Sequence, residues 1–149
     1  MVDNHDNSGR EELDAWIKKQ LNAAVRKLMD QGAIDSLIVE AKPAWVLPFQ
    51  ILIGKIRAQG QPNHFKWFIC GEIPTDYLPS SVAVTPRETA KHFVMKWQLA
   101  AARHQKKIER SPPATTSESP MKDPGKQLAD HAEALYGLVE EDRLWLQGS

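Results

Sequence analysis

The sequence predicts an α+β fold: a small antiparallel sheet, built on one β-hairpin and packed by three helices. Two observations carry this expectation. Two β-rich apolar stretches, at about residues 45–58 and 64–73, flank the turn-forming run AQGQPN. Outside them, apolar residues recur at helical spacing over about 9–31, 86–109 and 125–140.

The first eight residues read as a disordered lead to a single domain over 9–149. Ser8 with Glu11 three residues on has the form of a capping box. Leu13, Trp16, Ile17, Leu21, Ala24 and Leu28 then form one stripe, with Lys18, Lys19, Arg26 and Lys27 on the other face. Gly32 suits the left-handed position that ends a helix. Residues 36–41 fit a short strand or a capped turn, interrupted by Lys42-Pro43.

The first hairpin strand carries Pro48, which suits a sheet edge or a strand start. Both strands are apolar on both faces at their centres, Phe49–Ile53 and Phe65–Cys70. A hairpin open to water on one side would alternate with polar residues. Cover on both faces is therefore expected, from helices or from a second subunit. Residues 73–81 (IPTDYLPSS) read as a loop, with a further short strand possible over 80–84. Thr85-Pro86-Arg87-Glu88 is the strongest local signal: threonine caps, proline takes the first turn and glutamate returns to the cap. Ala90, Phe93, Val94, Trp97, Ala101 and Ile108 follow on one stripe. Residues 111–124 have the composition of a linker. Asp123-Pro124 then reads as a cap and first turn, and Leu144, Trp145 and Leu146 are expected to dock on the domain.

The 149 residues are 42% apolar and 26% charged, with 19 basic and 19 acidic side chains. A net charge of zero argues against a generic nucleic-acid or membrane-surface binder. The middle of the chain is nevertheless basic, since Arg87, Lys91, Lys96, Arg103, Lys106, Lys107 and Arg110 face only Glu88 and Glu109 across 86–110. Cations at the end of that helix complement its dipole. No run of stacking aromatics accompanies them, so nucleic-acid binding is the weakest of the functional readings. An acidic C-terminal segment folding back on this helix explains the charge better.

The polar N-terminus is unlike a signal peptide, and no apolar run reaches the ~20 residues of a membrane helix. With one cysteine, Cys70, no intrachain disulfide forms, which suits a reducing cytoplasm.

The candidates for chemistry are few. His5, His64, His92, His104 and His131 show no metal-ligand spacing, so no metal is expected. Cys70 lies in a strand where a buried cysteine acts as a small hydrophobe. His64, six residues earlier, is about 20 Å away along that strand. Gly54, Gly60 and Gly71 form no phosphate-binding loop, and no cofactor is expected.

The most informative polar set is Lys55, Arg57, Glu72, Asp76 and Arg87. If these converge at one end of the sheet, with Glu72 at the end of the paired strand, Arg57 and Arg87 form an anion or carboxylate site oriented by Asp76. The competing expectation is an ion-pair network that pins the loop after the second strand, with Asp76 holding its own turn.

Four stretches also resemble a bacterial family catalogued as domain of unknown function 4826. They are Lys55-Ile56; Gly71-Glu72-Ile73-Pro74-Thr75-Asp76-Tyr77; Ala90-Lys91-His92-Phe93 with Lys96-Trp97-Gln98; and Ala132-Glu133-Ala134-Leu135-Tyr136 with Asp142-Arg143-Leu144-Trp145. The glycine-to-aspartate stretch, 71–76, is the most specific, and the resemblance covers about residues 10–146. It implies a bacterial, single-domain, cytoplasmic protein and supplies no catalytic residues. The expected function is a non-enzymatic interaction module, with homodimerisation through the two-sided hairpin. The alternative is a small anionic-ligand binder or enzyme that uses Arg57, Glu72, Asp76 and Arg87.

Overall fold

A computed structural model describes residues 4–34, 39–60, 64–109 and 124–146. Helix α1 spans Asn4–Asp30, β1 Val39–Leu47, β2 Ile51–Ala58, β3 Phe65–Gly71, β4 Asp76–Pro79, α2 Pro86–Glu109 and α3 Pro124–Val139. One-turn 3-10 helices occupy Ser80–Val82 and Asp142–Trp145. The four strands form an antiparallel meander in the order β1-β2-β3-β4. The fold is therefore α+β, as the sequence predicts.

The hairpin is β2–β3, with Ile53 opposite Ile69 and Arg57 opposite Phe65. Its faces are covered by two different layers. Leu52, Ile56, Phe68 and Cys70 pack under Ala24 and Leu28 of α1. Ile51, Ile53, Trp67 and Ile69 pack under Phe93, Val94 and Trp97 of α2 and Ala132, Leu135 and Val139 of α3. The apolar centres of both strands are thus covered within the chain, which removes the reason for expecting a second subunit on the hairpin.

Three expectations need correction. The stretch 45–58 is two strands, because Leu47–Gln50 makes a turn closed by Gln50 N–H to Leu47 O at 2.9 Å. Pro48 suits the first central position of that turn, and Phe49 takes a positive φ of 62° at the second. β1 then runs back through Pro43, tolerated because β1 is an edge strand with a register shift between Pro43 and Trp45. The loop expected at 73–81 contains β4, which pairs with β3 over four positions, and residues 80–82 are helical rather than extended. Helix α1 begins at Asn4, so Ser8 lies inside it and residues 4–8 belong to helix rather than to a lead. That stretch holds no proline and no glycine before Gly9, so nothing in it opposes helix.

The helix ends follow local chemistry. Ala33 N–H reaches Leu28 O and Gly32 N–H reaches Met29 O, a Schellman closure with Gly32 at φ 79°. Thr85 Oγ1 accepts the Glu88 N–H at 3.2 Å, and the buried Thr89 hydroxyl donates to Thr85 O at 2.8 Å. The expected linker 111–124 lies outside the described residues except for Pro124, which opens α3. Trp145 does dock: its ring stacks on Trp45 at 4.1 Å between centroids and 13° between planes. Leu146 remains exposed. Among the described residues, no helix is long and apolar enough to cross a membrane.

Candidate functional site

Period-two alternation puts Lys55 and Arg57 on the face of β2 that carries Ile51 and Ile53. The apolar pair lies beneath α2 and α3, whereas Lys55 is exposed and Arg57 half-buried. Register then sets their neighbours: Lys42 opposite Lys55, Glu40 opposite Arg57, and Trp67 and Phe65 on the other side. The result is a cleft of about 490 Å³ lined by Glu40, Lys42, Pro43, Ala44, Lys55, Arg57 and Phe65.

Its charges are unequal. Arg57 donates from Nε at 2.9 Å and Nη2 at 2.7 Å to one oxygen of Glu40, so these two hold each other in place. Lys42 and Lys55 remain, directly opposed across two strands, an arrangement of like charges that is unfavourable by itself. Lys55 Nζ lies 4.7 Å from the Phe65 ring centroid and 5.0 Å from that of Trp67, and the two rings meet edge to face at 5.5 Å. The ring faces offset part of the repulsion and hold the ammonium at the cleft. Chemically, the cleft offers two cations, a fixed guanidinium and an aromatic wall.

The structure does not bring the four sequence-predicted residues together. Arg57 lies in the cleft. Glu72 follows Gly71, which pairs with Ile51 at the opposite end of the hairpin, about 20 Å along the strand from Phe65. Asp76 is taken up by three donors: Lys96 Nζ at 2.8 Å, Trp97 Nε1 at 2.9 Å and its neighbour's backbone N–H, Tyr77 N, at 2.8 Å. Arg87 grips the end of α3, donating from Nε and Nη2 to Val139 O at 3.0 and 2.7 Å and from Nη2 to Asp142 at 2.6 Å. Asp76 and Arg87 thus tie elements together at separate places. Glu40, Lys42 and Phe65 were the missed members of the cleft. Phe65 was legible as a face-mate of Trp67, but β1 was not placed as a strand beside β2.

Cys70 is buried, and its thiol faces Gln20 O at 3.9 Å. Burial pushes its pKa up to about 12, which keeps it a thiol rather than a thiolate nucleophile at neutral pH. Among the described residues, no three of His, Cys, Asp and Glu stand close enough together to hold a metal ion. His92 lines a groove between α2 and α3, and His104 packs against Gly125 where those helices meet.

A family model described as "Domain of unknown function (DUF4826)" matches residues 11–145. No curated protein and no solved structure matches the chain. The chain belongs to the DUF4826 family.

Proposed function

We propose that this DUF4826 member is a non-enzymatic binding module of the bacterial cytoplasm, built as one domain, which takes a small anionic ligand in the cleft on β1, β2 and β3. The observation that supports this reading is the opposition of Lys42 and Lys55 across the strand pair. Like charges directly opposite on a strand pair are destabilising, and a bound anion relieves that repulsion. Among the described residues, the one carboxylate lining the cleft, Glu40, is bound to Arg57, so a carboxylate or phosphate group is the natural partner of the two lysines. Phe65 and Ala44 offer apolar wall to the body of such a ligand, favouring an aryl phosphate or an aromatic carboxylate over a bare ion. The single free cysteine suits a reducing compartment.

The test is a two-dimensional amide NMR titration with inorganic phosphate, phenyl phosphate and benzoate. The expected result is a set of shifts centred on residues 40–44, 55–57 and 65, larger for the aromatic anions and weakened by salt. Lys55→Ala and Lys42→Ala should each weaken binding by roughly tenfold, about 1.4 kcal/mol. Shifts scattered over the surface, or binding by both variants as tight as that of the native chain, would sink the reading.

A further inference from the structure

The solvent face of α2 carries a pattern that the cleft does not use. Met95 and Leu99 are one turn apart and remain 48% and 57% exposed. Glu88 lies seven residues before Met95, and Lys106 seven residues after Leu99, both exposed. Steps of seven and four return to nearly the same side of a helix, so Glu88, Met95, Leu99 and Lys106 form one stripe. Tyr136 of α3, 51% exposed, widens the apolar surface on the margin where it lines a groove with Lys91 and Met95.

The order acid, apolar, apolar, base is symmetric about residue 97. Turning a second copy end for end lays Met95 against the partner's Leu99 and Glu88 against the partner's Lys106. A two-fold axis repeats both contacts, which is the requirement for a closed, self-complementary interface. Lys91 and Arg103 occupy the same heights, but they lie about 120° apart around the helix, on opposite margins of the stripe. The two-fold brings like margins together, so these two cations do not meet. We infer that α2 docks antiparallel on α2 of a second copy of this chain through Glu88, Met95, Leu99 and Lys106. This surface is independent of the hairpin faces, which the chain's own helices cover.

Sedimentation velocity of the full chain over a concentration series tests the arrangement. A monomer–dimer equilibrium is expected, and Met95→Glu with Leu99→Glu should yield monomer while the circular dichroism spectrum stays that of the folded protein. Glu88→Lys alone sets lysine against lysine, and Lys106→Glu alone sets glutamate against glutamate, so each should dimerise several-fold more weakly. An equimolar mixture of the two single variants restores both opposite-charge pairs and should regain the dimer. Recovery on mixing also shows that neither variant is merely misfolded. A monomer at every concentration, a dimer indifferent to Met95→Glu with Leu99→Glu, or a mixture no tighter than its components would overturn the inference.

Discussion

Asp76 on the four-residue edge strand β4 accepts the indole N–H of Trp97, at the centre of α2, at 2.9 Å. Its other oxygen takes Lys96 Nζ and the Tyr77 N–H, both at 2.8 Å. A strand of four residues with a neighbour on one side only is weakly held by its ladder. The carboxylate supplies the missing anchorage by tying β4 to the helix above it. Trp97 is 2% exposed, so removing its acceptor leaves a buried donor unpaired. Asp76→Ala should cost about 1–3 kcal/mol in urea denaturation. Asp76→Asn should cost less, because an amide oxygen still accepts the indole N–H. An unfolding midpoint unchanged in Asp76→Ala would show that the anchorage is not needed.

Two glycines should respond to alanine with opposite signs. Gly71 has φ 120°, and a Cβ there would collide with Gln50 O, the carbonyl that accepts the Glu72 N–H. Neither backbone can yield without breaking the β1–β2 turn away from β3. Gly71→Ala should lose at least about 2 kcal/mol through strain and displacement. Gly137 lies within α3, and a Cβ there meets nothing within 4 Å. Gly137→Ala should gain about 0.5–1 kcal/mol, since alanine restricts the unfolded chain and favours helix. Thermal melts of the two variants, moving in opposite directions, check both expectations.

The legibility of the fold tracks the range of the forces involved. The start of α2 was readable because Thr85, Pro86 and Glu88 act within one turn. The β2–β3 pairing was readable because both apolar runs adjoin a short loop. β4 was not, because what fixes it is a side-chain bond from Asp76 to Trp97, 21 residues away. The turn at Pro48–Gln50 was missed because its positive-φ position holds Phe49, where glycine or asparagine is the usual signal. Part of that strain is offset by the contact of Phe49 with Trp16, whose ring centroids lie 5.8 Å apart. The cleft shows the same division. Lys55 and Arg57 were legible as face-mates by period two, whereas Glu40 and Lys42 reach them only through a register shifted at Pro43.

Arg87 and Asp142 form an ion pair of unequal partners. Arg87 is largely covered and forks onto the Val139 carbonyl, one of the orphan acceptors at the end of α3. The Asp142 side chain is 83% exposed. The value of the contact therefore resides in the guanidinium and the carbonyl. Arg87→Ala should destabilise by about 1–3 kcal/mol and raise amide exchange near the end of α3. Asp142→Ala should change stability by at most about 0.5 kcal/mol, as for other solvent-screened pairs. Arg87→Lys should fall near Arg87→Ala, because an ammonium cannot reproduce the planar fork. Equal losses for Arg87→Ala and Asp142→Ala would instead place the value in the ion pair.

Cys70 gives the chain an alkaline stability limit whose sign follows from its burial. Desolvation raises the thiol from its ordinary 9.0 to about 12 in the folded protein. Below pH 9 the thiol is protonated whether the chain is folded or not, so it contributes no pH dependence. Between about 9 and 12 the unfolded chain releases the proton and the folded chain keeps it. The unfolded state then binds fewer protons, and stability falls by up to about 1.4 kcal/mol per pH unit from this group. Above pH 12 the effect levels off. The informative quantity is the difference between the native chain and Cys70→Ala, which isolates this one group. That difference should be flat from pH 7 to 9 and should then shift steadily in favour of the alanine variant. The same burial predicts that iodoacetamide labels Cys70 only as fast as the protein opens, with labelling accelerated by sub-denaturing urea. Labelling of the native protein at the rate of a free thiol, together with a pH-independent difference, would mean that Cys70 is open to water and that β3 is not sealed by α1.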